Sequence, residues 1–106
     1  MTSCEKYTYR VTWSEADKEY IGQCAEFPSL SWLADTQLSA LTGIINVVKD
    51  VLADMQAEGE EIPVPLSERT FSGNFVVRTT PEVHRRLVIQ ATEAGVSLNR
   101  YVNSLL

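Results

Sequence analysis

The chain has 106 residues, which fits one ordinary domain or two very small ones. It is 44% hydrophobic and 22% charged, close to the globular average and unlike a disordered chain. A net charge of −5 argues against a protein that is basic throughout and binds nucleic acid over its whole surface, and no apolar run approaches the roughly 20 residues needed to span a bilayer.

The N-terminal run Met1-Thr2-Ser3-Cys4-Glu5-Lys6 is polar and lacks the apolar centre of a signal peptide. Tyr7, Tyr9, Val11 and Trp13 then alternate with polar residues, the period of a half-buried strand, and read as strand core rather than a stacking platform for bases. Residues 14–18 form a hairpin loop without the usual Asn-Gly or Asp-Gly signal. A second strand follows over residues 19–27, with Gly22 marking a bulge or a close approach. After Pro28-Ser29, a short third strand lies around Leu30 to Leu33. Three short consecutive strands predict an antiparallel meander with one buried face.

The strongest helical signal comes next. Leu38, Leu41, Ile45, Val48, Leu52 and Met55 recur at spacings of three and four, widened by Ile44 and Val51. Asp35 or Thr36 supplies the N-cap and Gly59 the residue after the end. Gly43 inside this helix costs about 1 kcal/mol against Ala, a cost that a packing reason could offset. The paired prolines of residues 62–66, Ile-Pro-Val-Pro-Leu, suit an edge strand or a stiff linker; the segment is expected to return as a strand, for an order β-β-β-α-β, with a boundary near residues 66–71.

The remainder is shorter. Residues 71–79 alternate again as a strand. Thr80-Pro81-Glu82 opens a helix that runs to about Ala94, with Val83, Leu87, Ala91 and Ala94 inward and Gly95 at its end. Ser97 caps a last helix holding Leu98, Tyr101, Val102, Leu105 and Leu106. A strand and two helices in so few residues fall below the size at which a core stands alone, so these apolar faces need a second copy or the first part to cover them. Charge divides the chain the same way. Residues 1–66 carry four basic residues against eleven acids, a net −7; residues 67–106 carry five against three, a net +2.

Two cysteines, Cys4 and Cys24, make too thin a framework for a disulfide scaffold and read as reduced thiols of a cytoplasmic protein. Neither has a partner at metal-ligand spacing, and the single His84 reads as a surface or packing residue, so no metal or cofactor is expected.

The segments Asn74-Phe75-Val76-Val77-Arg78, Thr80-Pro81-Glu82-Val83 and Gly95-Val96-Ser97-Leu98-Asn99 resemble the ribbon-helix-helix fold of the Arc and MetJ repressors. With residues 9–15, 26–30 and 61–65 in the expected order, the whole chain resembles a HicB-type antitoxin. That resemblance implies an α+β protein in three parts: a partial, degenerate ribonuclease-H-like domain over residues 1–66 that binds a toxin, a linker over 67–71, and a ribbon-helix-helix over 72–106 that binds DNA and dimerises. One local departure stands out. The family usually begins its first helix with a Gly-Asp-Thr-like turn followed by Glu-Ala, whereas here Leu33-Ala34-Asp35-Thr36 leads to Ser39-Ala40.

In the ribbon-helix-helix fold, strands from two chains pair into a ribbon that enters the major groove. With Phe75 and Val77 inward, Asn74, Val76 and Arg78 face outward, and their types suit adenine, a thymine methyl and guanine. Ser97, Leu98 and Asn99 start a helix whose free N–H groups suit a phosphate, and Arg85, Arg86 and Arg100 add positive charge. The partner implied by the resemblance is a HicA-type toxin, a small basic ribonuclease that cleaves mRNA. Glu15, Asp17, Glu19 and Glu26 are candidates to face it, although scattered acids also serve solubility alone. The expected assembly is a homodimer through the C-terminal ribbon, with pairing into tetramers left open. The expected function is neutralisation of the toxin and repression of the chain's own operon, without enzymatic activity. The alternatives are an orphan regulator lacking a toxin, and a metal-dependent nuclease using Glu15, Asp17 and Asp35. The nuclease fits poorly, because Thr8, Arg10 and Thr12 stand on the first strand where carboxylates are needed.

Overall fold

A computed structural model describes residues 4–106, so Met1, Thr2 and Ser3 of the polar N-terminal run lie outside the described residues. The chain forms two compact units, Met1–Phe71 and Ser72–Leu106.

Unit 1 is a three-stranded antiparallel meander with one helix on it. The strands are β1 (Tyr9–Ser14), β2 (Glu19–Cys24) and β3 (Phe27–Ala34), in the order β1-β2-β3. Tyr9 pairs with Cys24 and Ser14 with Glu19, while Tyr20 pairs with Ala34; a register shift between Gln23 and Cys24 brings Phe27 opposite Cys24. The long helix α1 (Gln37–Ala57) crosses one face. Thr36 caps it, its hydroxyl accepting from the Ser39 N–H at 3.1 Å, so this local sequence supplies its own N-cap despite the altered turn. Ala40, Ile44, Val48 and Leu52 point inward at intervals of four and are buried. Each of the last three contributes about 1.5–3 kcal/mol by burial. They pack with Tyr7, Cys24 and Phe27 into the core of the unit.

Two glycines let the helix lie close. A Cβ on Gly22 would sit 2.9 Å from Ile44 Cγ2, so Gly22 is a point of close approach and the bulge lies next door. Gly43 is overlain by the indole of Trp32, which supplies the packing reason for a glycine inside the helix.

The expected fifth strand over residues 62–66 does not form, and the order is β-β-β-α rather than β-β-β-α-β. Pro63 and Pro65 have no N–H to give to a ladder. The segment instead runs irregularly into a short 3-10 turn, Leu66–Glu68. It is held by side chains. The Tyr7 hydroxyl donates to the Pro63 carbonyl at 2.6 Å, Pro65 is fully buried, and the Ser67 hydroxyl donates to the Lys6 carbonyl at 2.6 Å. Lys6 also pairs with Glu68 at 3.0 Å. Ser67 and Glu68 thus fasten the end of unit 1 to its N-terminal turn.

Unit 2 contains α2 (Pro81–Glu93) and α3 (Leu98–Leu105). Thr80 and Ser97 cap them, their hydroxyls accepting from the Val83 and Arg100 N–H groups at 3.3 and 3.1 Å. Gly95, at φ 71°, turns the chain between the helices, and the Val96 N–H returns to the Ala91 carbonyl at 3.1 Å. Residues 71–79 do not form the expected strand: they are irregular and exposed. A strand needs a neighbour to take its backbone groups, and among the described residues no strand pairs with this segment.

Candidate functional site

Unit 2 leaves its apolar side chains largely uncovered. Ala91 is its one buried residue among the described residues. Phe75 and Val77, the expected inward pair, are both 72% exposed. Between residues 77–81, α2 and α3 lies a groove of about 710 Å³, lined by Val77, His84, Leu87, Leu98, Val102 and Leu106 among others. The groove and the exposed Phe75, Val76 and Val77 side chains are the apolar surface that unit 2 leaves open.

The proposed DNA-facing residues fall in two places. Asn74, Val76 and Arg78 are exposed on the irregular segment. Its start is shaped by a turn in which the Asn74 N–H donates to the Ser72 hydroxyl at 3.1 Å around Gly73, at φ 86°. One chain alone does not assemble these three side chains on a ribbon. At the other place, the Ser97 hydroxyl is committed to the Arg100 N–H. Leu98 turns its side chain into the groove, while Asn99 is exposed. The N–H groups of Leu98 and Asn99 remain the donors of a helix start. Arg85, Arg86 and Arg100 are all exposed.

The four acids proposed to face a toxin separate into two ends of unit 1. Because the strands alternate in direction, the β1–β2 loop and the end of β3 share one end of the sheet. Glu15, Asp17 and Glu19 lie there, with Asp35. Glu15 pairs with Lys18 and accepts from the Trp13 indole N–H at 2.7 Å. The Lys18 bond first, then the Trp13 bond, hold its carboxyl below the ordinary carboxylate value. Trp13, expected in the core, is 50% exposed, with its ring edge-on to Tyr20 at 5.1 Å.

Glu26 belongs to the opposite end and is engaged within the unit. Its carboxylate accepts from the Thr8 N–H at 2.9 Å, the Thr8 hydroxyl at 3.2 Å and the Leu66 N–H at 2.9 Å. Burial works against its charge, but the Leu66 and Thr8 N–H groups outweigh it and hold the carboxyl below its ordinary value. Burial, then the Glu26 charge, pushes the neighbouring Tyr7 hydroxyl up. Burial likewise raises the Cys24 thiol, which leaves it a poor nucleophile. Nothing local in the sequence signals that Glu26, in the turn between β2 and β3, reaches a residue 40 positions away.

Cys4 and Cys24 are free thiols. Among the described residues, no helix is long and apolar enough to cross a membrane, and no group of three His, Cys, Asp or Glu gathers as a metal site.

Residues 57–106 match the model of the HicB family. The matched stretch covers the end of unit 1 and all of unit 2, and it supports the HicB-type resemblance carried by the sequence segments. No curated protein and no solved structure matches the chain.

Proposed function

We propose that this chain is a HicB-type antitoxin. Unit 1, a partial ribonuclease-H-like domain, binds and neutralises a small basic mRNA-cleaving toxin of the HicA type. Unit 2 dimerises as a ribbon-helix-helix and represses the chain's own operon. The observation that carries this reading is the HicB family match over residues 57–106.

The physical chemistry agrees with it. Unit 2 is two capped helices preceded by an irregular, exposed segment that holds Phe75, Val76 and Val77. A second copy brings the missing partner: paired as a ribbon, Phe75 and Val77 turn inward and Asn74, Val76 and Arg78 outward. The dimer also doubles the +2 charge of residues 67–106, while the −7 of residues 1–66 favours a basic protein and repels DNA phosphates. The chain acts in this reading by binding, with no catalytic step.

The test expresses the full chain beside the basic protein encoded in the adjoining reading frame. Growth is expected to recover from that protein's toxicity, and the purified chain is expected to shift its own promoter DNA. Failure of both retires the reading. Recovery of neither growth nor toxin binding, with promoter binding kept, favours an orphan regulator. Metal-dependent cleavage of RNA by the purified chain retires the binding-only role.

A further inference from the structure

The end of the unit 1 sheet formed by the β1–β2 loop and the β3–α1 turn combines exposed apolar groups with a surplus of negative charge. Trp13 is 50% exposed and Leu38, in the first turn of α1, is 74% exposed. Glu15, Asp17, Glu19 and Asp35 lie at the same end, and Lys18 is the one cation of that loop and turn. Lys18 is already paired with Glu15. The other cations of residues 1–66 lie elsewhere: Lys6 pairs with Glu68, Arg10 stands opposite Gln23, and Lys49 is in the second half of α1.

We propose that this end of unit 1 is the surface that receives the basic toxin, with Trp13 and Leu38 as apolar anchors and Asp17, Glu19 and Asp35 as the charged rim. The proposal rests on the antitoxin reading and gives its protein interface a location. Charge complementarity selects the occupant, because an acidic rim favours a basic protein and disfavours nucleic acid. Trp13 has the features of an interface anchor. It is a large amphipathic ring held in place before binding, by its bond to Glu15 and its edge contact with Tyr20. A ring that is already ordered loses less entropy on docking. The opposite end of the sheet offers less, since Glu26 is taken up by Thr8 and Leu66.

Binding of the full chain to the basic protein of the adjoining reading frame decides the matter. Trp13→Ala and Leu38→Ala are each expected to weaken binding about thirtyfold, the loss typical of an interface anchor. Asp17→Lys with Asp35→Lys is expected to slow association and flatten its salt dependence. Val64→Ala, at an equally exposed apolar residue of the other end, is expected to change nothing. Promoter binding and the far-ultraviolet spectrum should stay at wild-type values; a misfolded Trp13→Ala leaves the decision to Leu38→Ala and the charge reversals. Wild-type binding that survives Leu38→Ala and the reversals overturns this location while the antitoxin reading stands. Altered self-association with unchanged toxin binding overturns it too, marking a contact between copies. Absence of any wild-type binding removes the antitoxin reading and this surface together.

Discussion

The indole of Trp32 occupies the space that a side chain at Gly43 would need. By helix propensity alone, Gly43→Ala should stabilise α1 by about 1 kcal/mol. The overlap reverses the sign, and a loss of about 1–3 kcal/mol is expected, the usual cost of overpacking. Replacing Trp32 with Ala first removes the obstacle, and Gly43→Ala in that background should then stabilise by about 1 kcal/mol. Chemical denaturation of the four proteins in this cycle measures the coupling.

Glu26 ties the start of β1 to the segment after α1 through Thr8 and Leu66. Its folded carboxyl lies below the ordinary value of 4.5. Such a group stabilises the fold above its unfolded value, and that contribution is lost as pH falls through the folded value. Glu26→Gln is therefore expected to cost about 1–3 kcal/mol at neutral pH, the scale for hydrogen bonds to a charged group. The gap between wild type and variant should hold down to about pH 5 and close below it, read from denaturation midpoints across pH.

These two contacts lie beyond what was legible in the sequence. The three strands and three helices could be read because periodicity, caps and glycine stops are local signals, and Thr36, Thr80 and Ser97 all serve as caps. Residues 62–66 misled because two prolines favour extended backbone, which pointed to a strand, while they also remove the donors a strand needs. Residues 71–79 alternate in sequence, but a strand also needs a paired neighbour, and among the described residues they have none. Trp13 and Glu26 depend on contacts outside their own segments. Alternation could not show that the Trp13 end of its row would stay half open, nor that Glu26 would reach Leu66.

Phe75 and Val77 carry the dimer expectation, since both are 72% exposed in one chain. Sedimentation should find the full chain dimeric or larger, with a melting temperature that rises with protein concentration. Phe75→Ala should cost about 3–5 kcal/mol of that assembly, as expected for removing a buried aromatic ring. The loss should appear as dissociation at concentrations where wild type stays associated, with unit 1 still folded.

Arg78 and Ser97 are expected to affect operator binding in different ways. In the ribbon reading, Arg78 contacts a base edge, so Arg78→Ala should cost about 1–3 kcal/mol and relax preference at one position. Ser97 orders a helix start whose N–H groups meet a phosphate, which carries no sequence information. Ser97→Ala removes the acceptor of the Arg100 N–H and should cost about 1 kcal/mol of helix stability. It should weaken all DNA sequences alike. Titration of the operator and of single-base variants at fixed salt separates the two. A uniform loss on Arg78→Ala would assign that side chain to the backbone instead, and unchanged affinity would take it out of the DNA interface.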